Sequence, residues 1–146
     1  MKQILDPHEW DRLLSLLNGH PLQSALWGEA RRQVDGLVSI YLAHFENDMP
    51  VLLARVETRH VPVLGKIAWM PRGPIFSDDT SREKYLPMLE VELSARGYSL
   101  LVTDFYEKNM GYSKGKKVST VWVDLSEGLD MLAKRIDKQW MYGVRR

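Results

Sequence analysis

The alternation of apolar and polar positions separates the chain into helical and extended stretches. Trp10, Leu13, Leu14 and Leu17 recur at helical spacing behind Asp6-Pro7-His8-Glu9, which offers a side-chain cap, a proline for the first helical position and a capping-box acid. A helix closing at Gly19 is predicted there. Ser24 is placed to cap a second helix, with Trp27, Ala30 and Val34 facing inward, Arg31 and Arg32 on other faces, and Gly36 at its end.

Residues 37–46 and 50–60 are rich in Val, Ile, Leu and Tyr and are joined by Asn47-Asp48, a pair that tolerates turn conformations. They read as a β-hairpin, followed by a short strand over 66–70. Thr80-Ser81-Arg82-Glu83 is a capping box for a long helix that reaches Ala95-Arg96 and stops at Gly97. Residues 98–105 form an apolar run of the kind found in strands buried on both faces. Residues 108–117, with Asn109, two glycines and four lysines, read as a loop, residues 118–125 as a returning strand, and Ser126 as the start of a closing helix. Leu129, Leu132, Ile136 and Trp140 give that helix a buried stripe. This order predicts a three-layer α/β or α+β domain with a mixed sheet.

At 146 residues the chain has the length of one domain, able to bury roughly two-thirds of its unfolded surface. Residues 1–146 are accordingly expected to form one domain. A net charge of +1, with 45% hydrophobic and 27% charged residues, gives no global attraction to polyanions. A site for an anion must therefore be local. The absence of cysteine removes disulfides, thiol nucleophiles and thiolate metal sites, and fits a cytoplasmic protein. The N-terminus carries Asp6, His8 and Glu9 and lacks a secretory pattern, and no run approaches the ~20 apolar residues of a transmembrane segment.

The four histidines, His8, His20, His44 and His60, are scattered without metal-ligand spacing. No dinucleotide fingerprint, phosphate-binding Walker sequence or nucleophile elbow occurs. No metal and no cofactor is expected.

Three segments carry a family pattern in order and spacing: residues 22–32, Leu-Gln-Ser-Ala-Leu-Trp-Gly-Glu-Ala-Arg-Arg; residues 68–74, Ala-Trp-Met-Pro-Arg-Gly-Pro; and residues 120–126, Thr-Val-Trp-Val-Asp-Leu-Ser, with 140–146, Trp-Met-Tyr-Gly-Val-Arg-Arg. The chain resembles the FemABX-type peptidyltransferases over nearly its whole length, but only the first of the two GNAT-like halves such enzymes carry. The resemblance implies a GNAT-like domain with a mixed, mostly antiparallel sheet flanked by helices. It also implies an aminoacyltransferase of peptidoglycan synthesis, moving an amino acid from aminoacyl-tRNA to the peptide stem of a nucleotide- or lipid-linked muramoyl-peptide precursor. The first half of these enzymes mainly binds the precursor. No acetyl-CoA site is expected despite the fold, because no glycine-rich pyrophosphate turn opens a helix.

A muramoyl-peptide precursor carries a diphosphate and carboxylates, so its site needs fixed guanidinium or ammonium donors. Arg72 lies between Pro71 and Pro74, which restrict the backbone, and beside Gly73, which permits close approach. It is either a rigid holder for a ligand group or the partner of a structural carboxylate. Arg31 matches a basic position that reaches the precursor in relatives; a solvated helix face is the alternative. In the last helix Lys138, Tyr142, Arg145 and Arg146 complete the expected substrate-binding set, although the helix dipole alone also favours cations there.

Asp104, at the end of the strand over 98–105, matches an acid near the precursor in relatives and is the candidate catalytic group, orienting the acceptor amine or taking its proton. Relatives often place an arginine two positions before this acid and a proline after it, where this chain has Val102 and Phe105.

The basic stripe of Lys134, Arg135, Lys138, Arg145 and Arg146 is expected to join or be covered by something further, either a second GNAT-like half or another copy of the chain. Two other classes remain: a non-catalytic binding module or split partner using the same cleft, and a tRNA-binding fragment, against which the near-neutral charge counts. No DNA partner is expected.

Overall fold

A computed structural model describes residues 1–103 together with Met131 and Lys134. The chain divides into two compact units, Met1–Lys108 and Asn109–Arg146. In the second, Met131 and Lys134 are helical, within the segment expected to form the closing helix.

The first unit runs β1 (Lys2–Gln3), α1 (Pro7–Leu16), a 3-10 turn (Pro21–Gln23), α2 (Ala25–Asp35), β2 (Val38–Glu46), β3 (Met49–Val61), β4 (Gly65–Met70), β5 (Ile75–Phe76), α3 (Asp79–Ala95) and β6 (Tyr98–Thr103). Among the described residues the strands form one sheet in the order β1-β2-β3-β4-β6, with β5 beside β3. All pairings are antiparallel except β4 with β6. The mixed, mostly antiparallel sheet flanked by helices is the GNAT-like architecture expected from the sequence.

Strand β3 sets the layers, because its alternate residues go to opposite faces. Leu52, Ala54 and Val56 pack with Tyr85, Leu89 and Leu93 of α3. Leu53 packs on the other face with Trp10, Leu13 and Leu14 of α1 and Ala25 of α2. Arg55, Glu57 and Arg59 share the parity of Leu53 and so lie on the face covered by α1 and α2.

The hairpin forms as expected, its turn made by Asn47 and Asp48 with φ of 47° and 63°. Helix α1 is capped by Asp6, which accepts a hydrogen bond from the His8 N–H. Its end differs in one respect from the expectation. Asn18 takes the left-handed conformation, and the Gly19 N–H donates to the Leu14 carbonyl at 2.9 Å, the doubly bonded closure that satisfies final helical carbonyls.

Three other details correct the sequence reading. Helix α3 starts at Asp79 with Asp78 as its cap, not at Thr80, because the Asp78 carboxylate accepts from the Ser81 N–H at 2.7 Å and holds the Ser77 and Ser81 hydroxyls. Strand β6 is not buried on both faces. Ser99 and Leu100 are exposed where the pairing with β4 slips between Lys66 and Ile67, inserting one residue and bending the strand.

The third correction concerns α2, where Trp27, Ala30 and Val34 face solvent while Ala25 and Gly28 are buried. Gly28 fits this orientation, since a Cβ there would press on the Tyr41 hydroxyl. The small residues Ala25 and Gly28, and not the apolar stripe, lie on the buried side of the helix. Arg31 is thereby turned toward the sheet. Among the described residues no helix is long and apolar enough to cross a membrane.

Several surface carboxylates are held in the charged form. Arg32 bonds Glu29 and brings its carboxyl down to about 2 from an ordinary value of 4.5. Lys84 lowers Glu46, the Ser81 N–H lowers Asp78, and Arg96 lowers Glu92. A carboxylate whose pKa is lower folded than unfolded contributes stability above its unfolded pKa, and loses it as pH falls through the folded value. The melting temperature is therefore expected to hold from about pH 7 to about pH 5 and to drop progressively toward pH 2, less steeply in high salt. A flat profile in thermal melts across that range would rule out these pairs as contributors.

Candidate functional site

The main concentration of charge in the first unit is built on the α2-facing side of β3. Arg55 and Glu57 both have essentially no side-chain exposure, and their side chains meet at 3.0 Å. Two charges taken from water cost several kcal/mol each unless other bonds satisfy them. Arg55 is accordingly well supplied: Nε and Nη2 donate to the Leu22 carbonyl at 3.0 and 2.7 Å, and Nη1 donates to the Ser39 hydroxyl at 2.8 Å.

Glu57 is shared by two further arginines. Arg59, two residues along the strand, reaches its Oε2 at 3.3 Å, and Arg31 from α2 lies 3.8 Å from its Oε1. Arg31 also pairs with Asp35 one helical turn on. Among the described residues three guanidinium groups thus face two carboxylates, leaving one positive charge. Arg31 and Arg59 keep 31% and 37% of their side chains exposed, so the excess charge is presented to solvent while its anchor is buried.

Arg59 is also stacked over the Trp69 ring, 4.9 Å from its centroid, which fixes the plane of its guanidinium. Its Nε is buried and makes no hydrogen bond among the described residues. A buried donor without an acceptor is costly and rare in native proteins. Among the described residues it is an unsatisfied donor on the face of β3 that carries the arginines.

Gln23 couples this cluster to the Pro71-Arg72-Gly73-Pro74 turn. Fully buried, it accepts from the Arg55 N–H at 2.8 Å and donates to the Pro71 carbonyl at 2.7 Å, while its own carbonyl accepts from Trp10 Nε1 at 2.7 Å. The turn ends in a cis Gly73-Pro74 bond, and Arg72 sits at φ 54°. A Cβ on Gly73 would come within 2.6 Å of the Gln23 side chain, so glycine is required by packing. The Gln23 brace and the left-handed Arg72 define the backbone of this turn.

Of the residues singled out in the sequence, Arg31 and Arg72 lie on elements tied together by Gln23, Arg55 and Glu57. Arg72 is partly buried. Arg32 points away and pairs with Glu29. Asp104, Lys138, Tyr142, Arg145 and Arg146 lie outside the described residues. Sequence reasoning missed Gln23, Arg55, Glu57 and Arg59. The signal was present in Arg55-Val56-Glu57-Thr58-Arg59, three charges at alternate positions of an otherwise apolar strand, which marks a charged stripe on one face.

An open depression of about 530 Å3 lined by Asp11, Ser15, Asn18, Pro21 and Ser24 includes none of these arginines. Its Asp11 already accepts the Ala25 N–H at 2.7 Å, and it offers no cation to an anionic ligand. Among the described residues no group of three or more acidic or histidine side chains is arranged to hold a metal.

A solved structure described as the crystal structure of FemX matches 68% of this chain with a TM-score of 0.51 at 19% identity. The fold is of FemABX type. The chain spans about a quarter of the length of that structure. No family model and no curated protein sequence matches it. Among the described residues, the arginine cluster on β3 and the cis-proline turn are built from elements within residues 20–74.

Proposed function

We propose that the chain supplies the precursor-binding part of a peptidoglycan aminoacyltransferase of FemABX type. The observation that carries this reading is the excess guanidinium charge pinned to the buried Glu57 carboxylate, with the unfilled Nε–H of Arg59 beside it. Planar guanidinium groups bind phosphate and carboxylate oxygens in pairs, and a muramoyl-peptide precursor carries both. Arg31 and Arg59 hold the anionic groups, with Arg72, Lys138, Tyr142, Arg145 and Arg146 as the further proposed contacts.

In the reaction, an amine of the peptide stem attacks the ester carbonyl of the aminoacyl-tRNA. An amide forms as the ester C–O bond breaks, and the proton lost by nitrogen passes to the released ribose hydroxyl. Asp104 is the group proposed to take that proton first. A second GNAT-like half, or another copy of the chain, is proposed to complete the catalytic cleft. Both the donor and a nucleotide-linked acceptor are cytoplasmic molecules, so the proposed location is the cytoplasm.

Titration calorimetry with a nucleotide-linked muramoyl pentapeptide tests the binding role. Arg31→Ala or Arg59→Ala is expected to weaken binding by about 1.5 kcal/mol, roughly tenfold. Failure of the folded wild-type chain to bind, or equal binding by both variants, would remove the precursor site from this cluster. Binding without transfer from charged tRNA, even with a second half supplied, would favour a non-catalytic binding module.

A further inference from the structure

The β3–β4 hairpin ends in Val61-Pro62-Val63-Leu64-Gly65, where Pro62, Val63 and Leu64 are exposed at the tip. Val63 is fully exposed at 104% and Leu64 is 54% exposed. Val63 also sits at φ 72°, a left-handed conformation that a β-branched residue adopts only under strain and that asparagine or glycine would fill more easily. Neither folding nor solubility accounts for a valine there.

The surroundings of the tip are cationic. Lys66 stands opposite His60, one rung back from the closing Val61–Gly65 pair, and Arg59 projects on the opposite face. Lys66 is steadied by the Arg96 carbonyl at 3.2 Å and the Tyr98 ring at 4.0 Å. From Thr58 to Ser77 the sequence contains no Asp or Glu, and the preceding acid, Glu57, is buried and shared by arginines. An apolar tip flanked by Lys66 and Arg59 complements the surface of an anionic bilayer, where apolar groups enter the acyl boundary and cations meet headgroup phosphates.

We propose that this hairpin tip is a membrane-surface docking element that inserts Val63 and Leu64 into an anionic lipid bilayer. The depth agrees with the charge. Val61 lies four residues beyond Glu57 on the same strand, about 13 Å at the usual strand rise. Interfacial apolar groups enter roughly 5–10 Å below the headgroup boundary, which leaves the arginine cluster at headgroup height. The docking rests on the hairpin alone and stands whether or not the cluster binds a muramoyl peptide.

Vesicle flotation without any precursor provides the test. Wild-type chain is expected to float with vesicles of phosphatidylglycerol and phosphatidylcholine in equal parts, and far less with phosphatidylcholine alone. The double variant Val63→Asp/Leu64→Asp should lower the partition at least about tenfold, and His60→Glu should weaken it in low salt. Aspartate tolerates the left-handed conformation better than valine, so the variant keeps its fold, checked by an unchanged melting temperature. Absence of flotation by the wild type, equal flotation of the double variant, or tip-dependent self-association without vesicle binding would each overturn the proposal.

Discussion

Glu57→Ala is expected to destabilise the protein by about 3–5 kcal/mol, because it leaves a buried arginine without its counter-charge. Arg55 would keep its bonds to the Leu22 carbonyl and the Ser39 hydroxyl, and these satisfy protons without neutralising charge. The nearby cations make matters worse. Arg31 and Arg59 both lean on the same carboxylate, so its loss gathers three guanidinium groups with, among the described residues, only Asp35 in opposition. Domain stabilities of roughly 5–15 kcal/mol mean that such a loss is a large share of the total.

The companion variants separate charge from packing. Arg55→Met/Glu57→Leu replaces the buried pair by apolar side chains of similar volume and is expected to recover most of the stability, since a buried pair often does no better than its hydrophobic equivalent. Arg59→Ala, at a partly exposed position, should cost far less. Urea denaturation measures all three. If Glu57→Ala lies within about 1 kcal/mol of wild type, the carboxylate is not the anchor described above. A stable double variant that no longer binds the muramoyl peptide would show that the buried pair is kept to orient the arginines and not to hold the fold.

Features fixed by local chemistry were legible in the sequence. Asn47-Asp48 announces a hairpin because both residues accept positive φ, and both adopt it. Asp6-Pro7 announces a helix start, and Gly97, at φ 80°, a helix stop. Where two local signals compete, the sequence misleads by a few residues. Thr80 with Glu83 forms a capping box on paper, but Asp78 brings a charged acceptor and two serine hydroxyls to the same helix end.

Features fixed by distant partners were not legible. The apolar spacing of Trp27, Ala30 and Val34 suggests one inward face of α2, yet Gly28 against Tyr41 and Arg31 against Glu57 lie on another. The Pro-Arg-Gly-Pro turn could be recognised as rigid. Its partner could not, because Gln23 lies 48 positions earlier. The charged stripe on β3 occupies a middle ground: its alternation was visible, and only burial shows that it is a packed charge cluster and not a solvated edge.

Gln23→Ala is the second substitution expected to have a large effect, about 2–5 kcal/mol, because it strands two buried backbone groups at once. The Pro71 carbonyl loses its donor and the Arg55 N–H loses its acceptor. The space left lies against Gly73, which already abuts the side chain, so the turn can move into it. Arg72 then loses the fixed backbone that distinguishes it from an ordinary surface arginine. At a temperature where the variant remains folded, muramoyl-peptide binding is expected to weaken roughly fivefold or more. Gly73→Ala, pressing on Gln23 from the other side, should reproduce both effects. Gln23→Glu gives a sharper contrast: it keeps an acceptor for Arg55 but sets a carboxylate against the Pro71 carbonyl, so the turn should loosen while the strand end of the link holds. Should Gln23→Ala lower stability and leave binding unchanged in calorimetry, Gln23 is a structural brace only, and the cis-proline turn has no part in holding the ligand.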